Sequence, residues 1–173
     1  MEAQPVSDAA LDRFNTSPAD TARQALSVCC ASTTWVSRLA AGRPYRSREA
    51  LLDTAELACR ELSDADLEEA LSAHPRIGDR ASGGSTEARW SRQEQASVSD
   101  SDDRTRAELR AANLAYEERF GRVFLIRAAG RSPVEMLAEA RRRLRNDPAT
   151  ERREVGEQLG QIARLRVEKL LET

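Results

Sequence analysis

The sequence predicts an all-α fold, a compact single-domain bundle of about seven to nine helices. Apolar residues recur at spacings of three and four along most of the chain, which is the period of a helix face. Aromatic residues make up only 4% of the 173 residues, so the core must be built mainly from Leu, Ala, Val and Ile. Such a core suits packed helices better than a sheet sandwich. The length fits one domain, and we expect it to span residues 1–173.

The predicted helices begin at residues whose side chains can cap a helix. Three of these residues are followed by proline at the first helical position, where the missing N–H is tolerated. The predicted caps are Ser17, Ser47, Ser63, Ser132 and Asp147. Asp66 after Ser63 indicates a variant of the capping box, and Glu135 strengthens the start at Ser132.

Prolines and glycines predict where the helices end. Gly42 and Pro44 end the helix of Trp35, and Gly121 ends a long helix later in the chain. Pro75 disfavours helical geometry at His74, so that helix must end there. By composition, residues 76–86 form a loop, residues 87–96 a helix and residues 97–103 a polar break. Residues 123–129 are either a strand or buried irregular chain, because periodicity does not separate the two.

Composition excludes several classes of protein. The 27 basic and 29 acidic residues give a net charge of −2, which argues against a nucleic-acid binder, and most of the arginines in 141–145 should face solvent. No apolar run is long enough to cross a membrane, and no signal peptide is evident, so we expect a cytoplasmic protein. The three cysteines predict buried reduced thiols. A single histidine, with none of the known metal-binding or nucleotide-binding motifs, predicts neither metal nor cofactor.

Three groups of residues break the helical pattern and are candidates for function. His74 is followed by Pro75 at a helix-to-loop junction, where it is either a general acid/base or a packed residue. Ser91, Glu94 and Gln95 share one helix face, which either binds a substrate rich in N–H and C=O groups or is a solvated polar face.

The third candidate is Arg166, which falls on the apolar midline of the last predicted helix. Arg164 points the opposite way. A guanidinium on an apolar seam needs a partner, because an unpaired buried charge is very costly. Arg166 therefore forms either a structural ion pair or a contact with a carboxylate or carbonyl of a ligand.

Several segments together resemble the family of 2-oxo-4-hydroxy-4-carboxy-5-ureidoimidazoline (OHCU) decarboxylases, which complete the oxidation of urate to (S)-allantoin. The matching segments, in chain order, are FN at 14–15, LSVCCASTTW at 26–35, HPRIG at 74–78, SRQEQ at 91–95, NLAY at 113–116, FG at 120–121, FLI at 124–126 and IARLR at 162–166. Each motif alone is weak, and their order and spacing make the resemblance specific.

The resemblance implies an all-helical, cofactor-free decarboxylase. By motif, His74 resembles the catalytic histidine and Glu94 the carboxylate that works beside it. The residues that resemble substrate-binding or pocket-wall positions are Ser91, Gln95, Arg166, Pro75 and Ile126, the last through its backbone. A homodimer is a further expectation. Two alternatives stay open, a cofactor-free hydrolase of a cyclic ureide and a non-catalytic helical interaction module.

Overall fold

A computed structural model describes residues 8–79 and 83–173, and these residues form ten α-helices. The helices, in chain order, are α1 (Ala9–Thr16), α2 (Ala19–Cys29), α3 (Thr33–Ala41), α4 (Arg48–Arg60), α5 (Asp64–Leu71), α6 (Thr86–Glu94), α7 (Ala96–Ser99), α8 (Asp103–Phe120), α9 (Pro133–Arg143) and α10 (Pro148–Leu170). No strand occurs among the described residues, so the predicted all-α class is confirmed. Within the same ranges, no helix is long and apolar enough to cross a membrane.

The larger of two hydrophobic clusters is built from α1 to α5 and α10. Trp35 lies at its centre, fully buried, and its indole N–H donates to the carbonyl oxygen of Ala55 at 2.9 Å, which links α3 to α4. The three cysteines, Cys29, Cys30 and Cys59, are buried in the same cluster as free thiols, as predicted.

α10 packs along α4, and two of its glycines, Gly156 and Gly160, face that helix. A Cβ atom on Gly160 would lie 2.9 Å from the carbonyl oxygen of Glu56 in α4. A Cβ atom on Gly156 would lie no closer than 3.6 Å to any neighbouring atom. At Gly160 the two helices therefore approach too closely to leave room for a side chain.

The second hydrophobic cluster joins α7, α8, α9 and the extended segment 123–129. Phe124 and Ile126 point into this cluster, whereas Leu125 points into the first cluster, as expected for extended chain. The carbonyl oxygen of Leu125 accepts a hydrogen bond from Arg143, and the N–H of Arg127 donates to Gln158. The alternative left open by the sequence is thus resolved as buried irregular chain, with side chains satisfying its backbone.

A buried ion pair fastens α9 to α10. Arg143 donates two hydrogen bonds to one carboxylate oxygen of Glu151, and the two side chains are 1% and 0% exposed. The hydroxyl of Tyr116 in α8 donates to the same oxygen. The expectation that most of the arginines of 141–145 face solvent is confirmed, because Arg141, Arg142 and Arg145 are exposed and Arg143 is the exception.

Four of the five predicted helix caps are confirmed: Ser47, Ser63, Ser132 and Asp147 each accept a backbone N–H at the start of a helix. The prediction for Ser17 was wrong, because its hydroxyl donates backwards to the carbonyl oxygen of Phe14 and α2 begins after Pro18 without a side-chain cap.

One further boundary differs from the prediction. The short helix α7 occupies the first part of the predicted polar break at 97–103, and Val98 is its buried residue. The predicted loop at 76–86 includes residues 80–82, which lie outside the described residues, as do residues 1–7 of the predicted domain.

Candidate active site

The segment from His74 to Asp79 is a loop whose backbone is fastened to α6 and α8. The side-chain amide of Asn113 donates to the carbonyl oxygen of Ile77 at 2.7 Å, and the N–H of Gly78 donates to Oε1 of Gln95 at 3.0 Å. Gly78 has a φ of +95°, a conformation that glycine adopts without strain. The loop is therefore held on both sides, and His74 sits on a supported backbone.

A bidentate ion pair holds Arg76 of this loop on α8. Its Nε and Nη2 atoms donate to the two carboxylate oxygens of Glu117 at 2.5 and 2.8 Å. On the other side of the loop, Ile77 is buried in the second hydrophobic cluster. Trp90 of α6 is buried in the first cluster, so the loop and α6 meet at the junction of the two cores.

Arg166 is buried on α10 and paired with Glu94 of α6. Its Nε and Nη2 atoms each donate to one carboxylate oxygen of Glu94 at 3.0 Å, and the side chains are 2% and 9% exposed. Lys169 adds a second positive charge, with Nζ 3.9 Å from Glu94 Oε1. Of the two alternatives for Arg166, the structure shows the ion pair, whereas the resemblance implied that Glu94 works beside His74.

His74 carries a neutral imidazole at physiological pH. Burial among protein atoms, and to a lesser extent the positive charge of Arg166, together lower its pKa from 6.5 to about 3. The side chain nevertheless remains partly exposed. Within the described residues its ring makes no hydrogen bond, so the ring nitrogens are available to a ligand.

His74 and two other predicted site residues line one cavity of about 290 Å³. The residues that line it are Ser72, Ala73, His74, Pro75, Ser85, Glu87, Ala88 and Ser91. The sequence-based prediction did not include Glu87. Glu87, Ser91 and Glu94 follow at spacings of four and three and therefore share one face of α6, so the helical period could have identified Glu87.

Four predicted site residues are not among those that line this cavity. Glu94 and Arg166 form the buried pair described above. Gln95 lines a neighbouring cavity of about 560 Å³ together with Ser91, and its amide oxygen is used to hold Gly78. Ile126 is buried in the second hydrophobic cluster, where it is grouped with Ile77 of the loop. Ser91 is thus the residue common to both cavities. Among the described residues, no group of three or more His, Cys, Asp or Glu side chains is arranged to hold a metal ion.

The family model for OHCU decarboxylase matches residues 15–168. The chain belongs to the OHCU decarboxylase family. It is 32% identical over 146 residues to the uric acid degradation bifunctional protein TTL of Arabidopsis thaliana, covering 83% of this chain. The chain spans 45% of the length of that relative.

Solved structures of OHCU decarboxylases and related proteins share the fold. A crystal structure of OHCU decarboxylase in the presence of (S)-allantoin matches with a TM-score of 0.72 and 26% identity, over 91% of this chain and 100% of that chain. A structure of (S)-allantoin synthase matches with a TM-score of 0.70 and 16% identity, over 92% of this chain and 53% of that one. The second match shows the fold alone. The resemblance predicted from the ordered motifs is therefore confirmed at the level of the family.

Proposed function

We propose that this protein decarboxylates OHCU to (S)-allantoin in urate degradation, without a cofactor. The observation that carries the proposal is His74, a neutral imidazole with no hydrogen-bond partner in the described residues, lining a cavity with Pro75 and Ser91. Membership of the OHCU decarboxylase family supports the choice of substrate. A fastened loop suits this role, because a catalytic group must be held in place relative to the reacting atoms.

The substrate itself supplies the electron sink. Its ring carbon carries a carboxylate and a hydroxyl and lies next to a C=N bond. When the bond to the carboxylate breaks, CO₂ leaves and the electron pair forms a double bond between the two ring carbons. The π electrons of the C=N bond move onto the ring nitrogen, which gains a proton. The hydroxyl then loses its proton to become the ring carbonyl, while the neighbouring carbon that bears the ureido group gains one. Overall, one proton is taken up for each CO₂ released from the carboxylate.

In this proposal His74 moves the proton. Because its pKa is lowered to about 3, the ring is neutral and can accept the hydroxyl proton at neutral pH. The resulting imidazolium can return the proton to the ureido-bearing carbon. Delivery to one face of that carbon gives the (S) enantiomer.

Arg166 and Glu94 have a supporting role in the proposal. Both carboxylate oxygens of Glu94 accept hydrogen bonds from Arg166 and so fix the plane of its guanidinium. A positive charge held in place can stabilise the negative charge that develops on the substrate without having to move first. The Nη1 atom of Arg166 makes no hydrogen bond within the described residues, so it is the nitrogen left for a substrate oxygen. Ser91, Gln95, Pro75 and Ile126 remain predicted substrate-binding or wall positions.

The test is to add the purified protein to freshly generated urate oxidation products. We expect (S)-allantoin to form faster than the spontaneous reaction, with CO₂ released in equal amount. Only the enantiomer is diagnostic, because spontaneous decay also yields allantoin. Ring opening without CO₂ release would favour the cyclic ureide hydrolase. No reaction, and no thermal shift with millimolar allantoin, would favour the non-catalytic interaction module.

Four predictions accompany the proposed function and have tests of their own. A homodimer is checked by light scattering after size exclusion, and the absence of nucleic-acid binding by a gel-shift assay at low salt. The cytoplasmic location is checked by fractionating the source cells. The single domain over 1–173 predicts one cooperative unfolding transition.

A further inference from the structure

Glu87 is a carboxylate in the cavity of His74 to which the reaction above gives no role. It lies in the first turn of α6, on the face that also carries Ser91 and Glu94, and it lines the cavity together with His74. Neither the family motifs SRQEQ and HPRIG nor the proton transfer proposed for His74 involves it. Glu87 is therefore a carboxylate in this cavity that neither the motifs nor the proposed reaction uses.

The surroundings of Glu87 do not satisfy its charge. It is half-buried and, within the described residues, makes no ion pair or hydrogen bond. Burial raises its pKa, and the positive charge of Arg166 offsets this only in part. Arg166 itself directs two of its nitrogens at Glu94 and is not engaged with Glu87. A half-buried carboxylate without a donor gains most from a ligand that supplies N–H groups.

The two ends of OHCU differ in how they would meet this carboxylate. The ureido arm is neutral and rich in N–H donors, whereas the carboxylate end is anionic and is repelled by a like charge. Resting on the proposed function, we infer that Glu87 accepts hydrogen bonds from the ureido N–H groups and so determines which end of the substrate faces His74. The carboxylate and hydroxyl are then directed towards the imidazole, where the bond breaks.

The inference is tested with two ligands that differ only in the ureido arm. (S)-Allantoin carries the arm, and hydantoin is the same ring without it. Binding of both to the wild-type protein, Glu87→Ala and Glu87→Gln is measured by calorimetry, together with turnover of OHCU. Glu118→Ala is the matched control, since Glu118 is an exposed carboxylate on α8. Melting temperatures establish that each variant is folded.

We expect Glu87→Ala to weaken binding of (S)-allantoin by about 10- to 100-fold, the usual effect of losing hydrogen bonds to a charged group. Hydantoin binding should be unchanged, and KM for OHCU should rise in step with the loss of allantoin affinity. Glu87→Gln, which keeps an acceptor oxygen, should lose less. Glu118→Ala should behave as wild type.

Two other results would overturn the inference and are distinguishable. If the wild-type protein binds (S)-allantoin and converts OHCU while Glu87→Ala keeps full affinity, or loses both ligands equally, Glu87 does not recognise the ureido arm. If the wild-type protein neither binds (S)-allantoin nor converts OHCU, the proposed function fails and the inference falls with it.

Discussion

The contact between α4 and α10 allows a stability prediction with an internal control. A methyl group on Gly160 would lie 2.9 Å from the carbonyl oxygen of Glu56 and 3.1 Å from its Cγ atom. The Cγ atom can rotate away, but the carbonyl oxygen moves only if the backbone of α4 moves. Overpacking of this kind typically costs about 1–3 kcal/mol. Alanine also gains about 1 kcal/mol over glycine in helix propensity, so Gly160→Ala should be destabilised by about 0–2 kcal/mol.

Gly156 provides the control on the same helix. A methyl group there would lie 3.6 Å from its nearest neighbours, an ordinary contact distance, so Gly156→Ala keeps the propensity gain without the clash. The difference in the free energy of unfolding between the two variants removes the propensity contribution. That difference should be about 1–3 kcal/mol in favour of Gly156→Ala.

The assay is urea unfolding followed by helical circular dichroism, with thermal unfolding as a second measure. For a chain of this size, 1 kcal/mol corresponds to a change in Tm of about 2–4 °C. Arg166 lies further along α10, so a displacement of that helix should also lower the activity of Gly160→Ala. If Gly160→Ala is as stable as Gly156→Ala, the close approach of α10 to α4 is not a constraint and the steric reasoning is wrong.

Three further predictions concern buried polar groups. His74→Gln should lower kcat by about 10²–10⁴-fold. Because the pKa of His74 is about 3 in the folded protein and 6.5 in the unfolded one, the wild-type protein should lose stability as the pH falls from 6.5 towards 3, and more steeply than the variant. Equal losses of stability for the two proteins in urea unfolding would contradict this. Glu94→Gln should lower the free energy of unfolding by about 3–5 kcal/mol, because it leaves Arg166 unpaired. The double variant that also carries Arg166→Met should regain stability but not activity, and additive losses of stability would refute the pairing. Tyr116→Phe should lose about 1–3 kcal/mol of stability through its bond to Glu151 with kcat unchanged, and an altered kcat would show that this network reaches the site.

Helix starts could be predicted from the sequence where capping is decided by neighbouring residues alone. Ser132 caps α9 and receives its own N–H bond back from Glu135, three residues away. Ser17 has the same chemistry, followed by proline, and fails as a cap. Arg43 donates to the carbonyl oxygen of Ser17 at 2.8 Å and to its hydroxyl at 3.1 Å. Arg43 lies 26 residues further along the chain, so the residues around Ser17 do not predict this contact.

The faces on which the candidate residues lie could be predicted from the sequence, but the pairing between them could not. Helical spacing and the ordered motifs placed Ser91 and Glu94 on one face and Arg166 on an apolar seam. That Glu94 and Arg166 bind each other depends on how α6 meets α10, which is a tertiary contact. Glu87 could have been found by the same spacing. It was missed because an acidic residue in the first turn of a helix is already explained by its favourable interaction with the helix dipole.

The reactivity of the three buried thiols can be used to measure local opening of the protein. Cys29, Cys30 and Cys59 are at most 2% exposed, and burial raises the pKa of Cys29 to about 12. A thiol reagent in solution can therefore reach them only when α2 or α4 separates from the core, since the thiolate is the reactive form. The labelling rate then measures how often α2 or α4 opens locally, without any added dye. A ligand that stabilises the folded state should lower this rate.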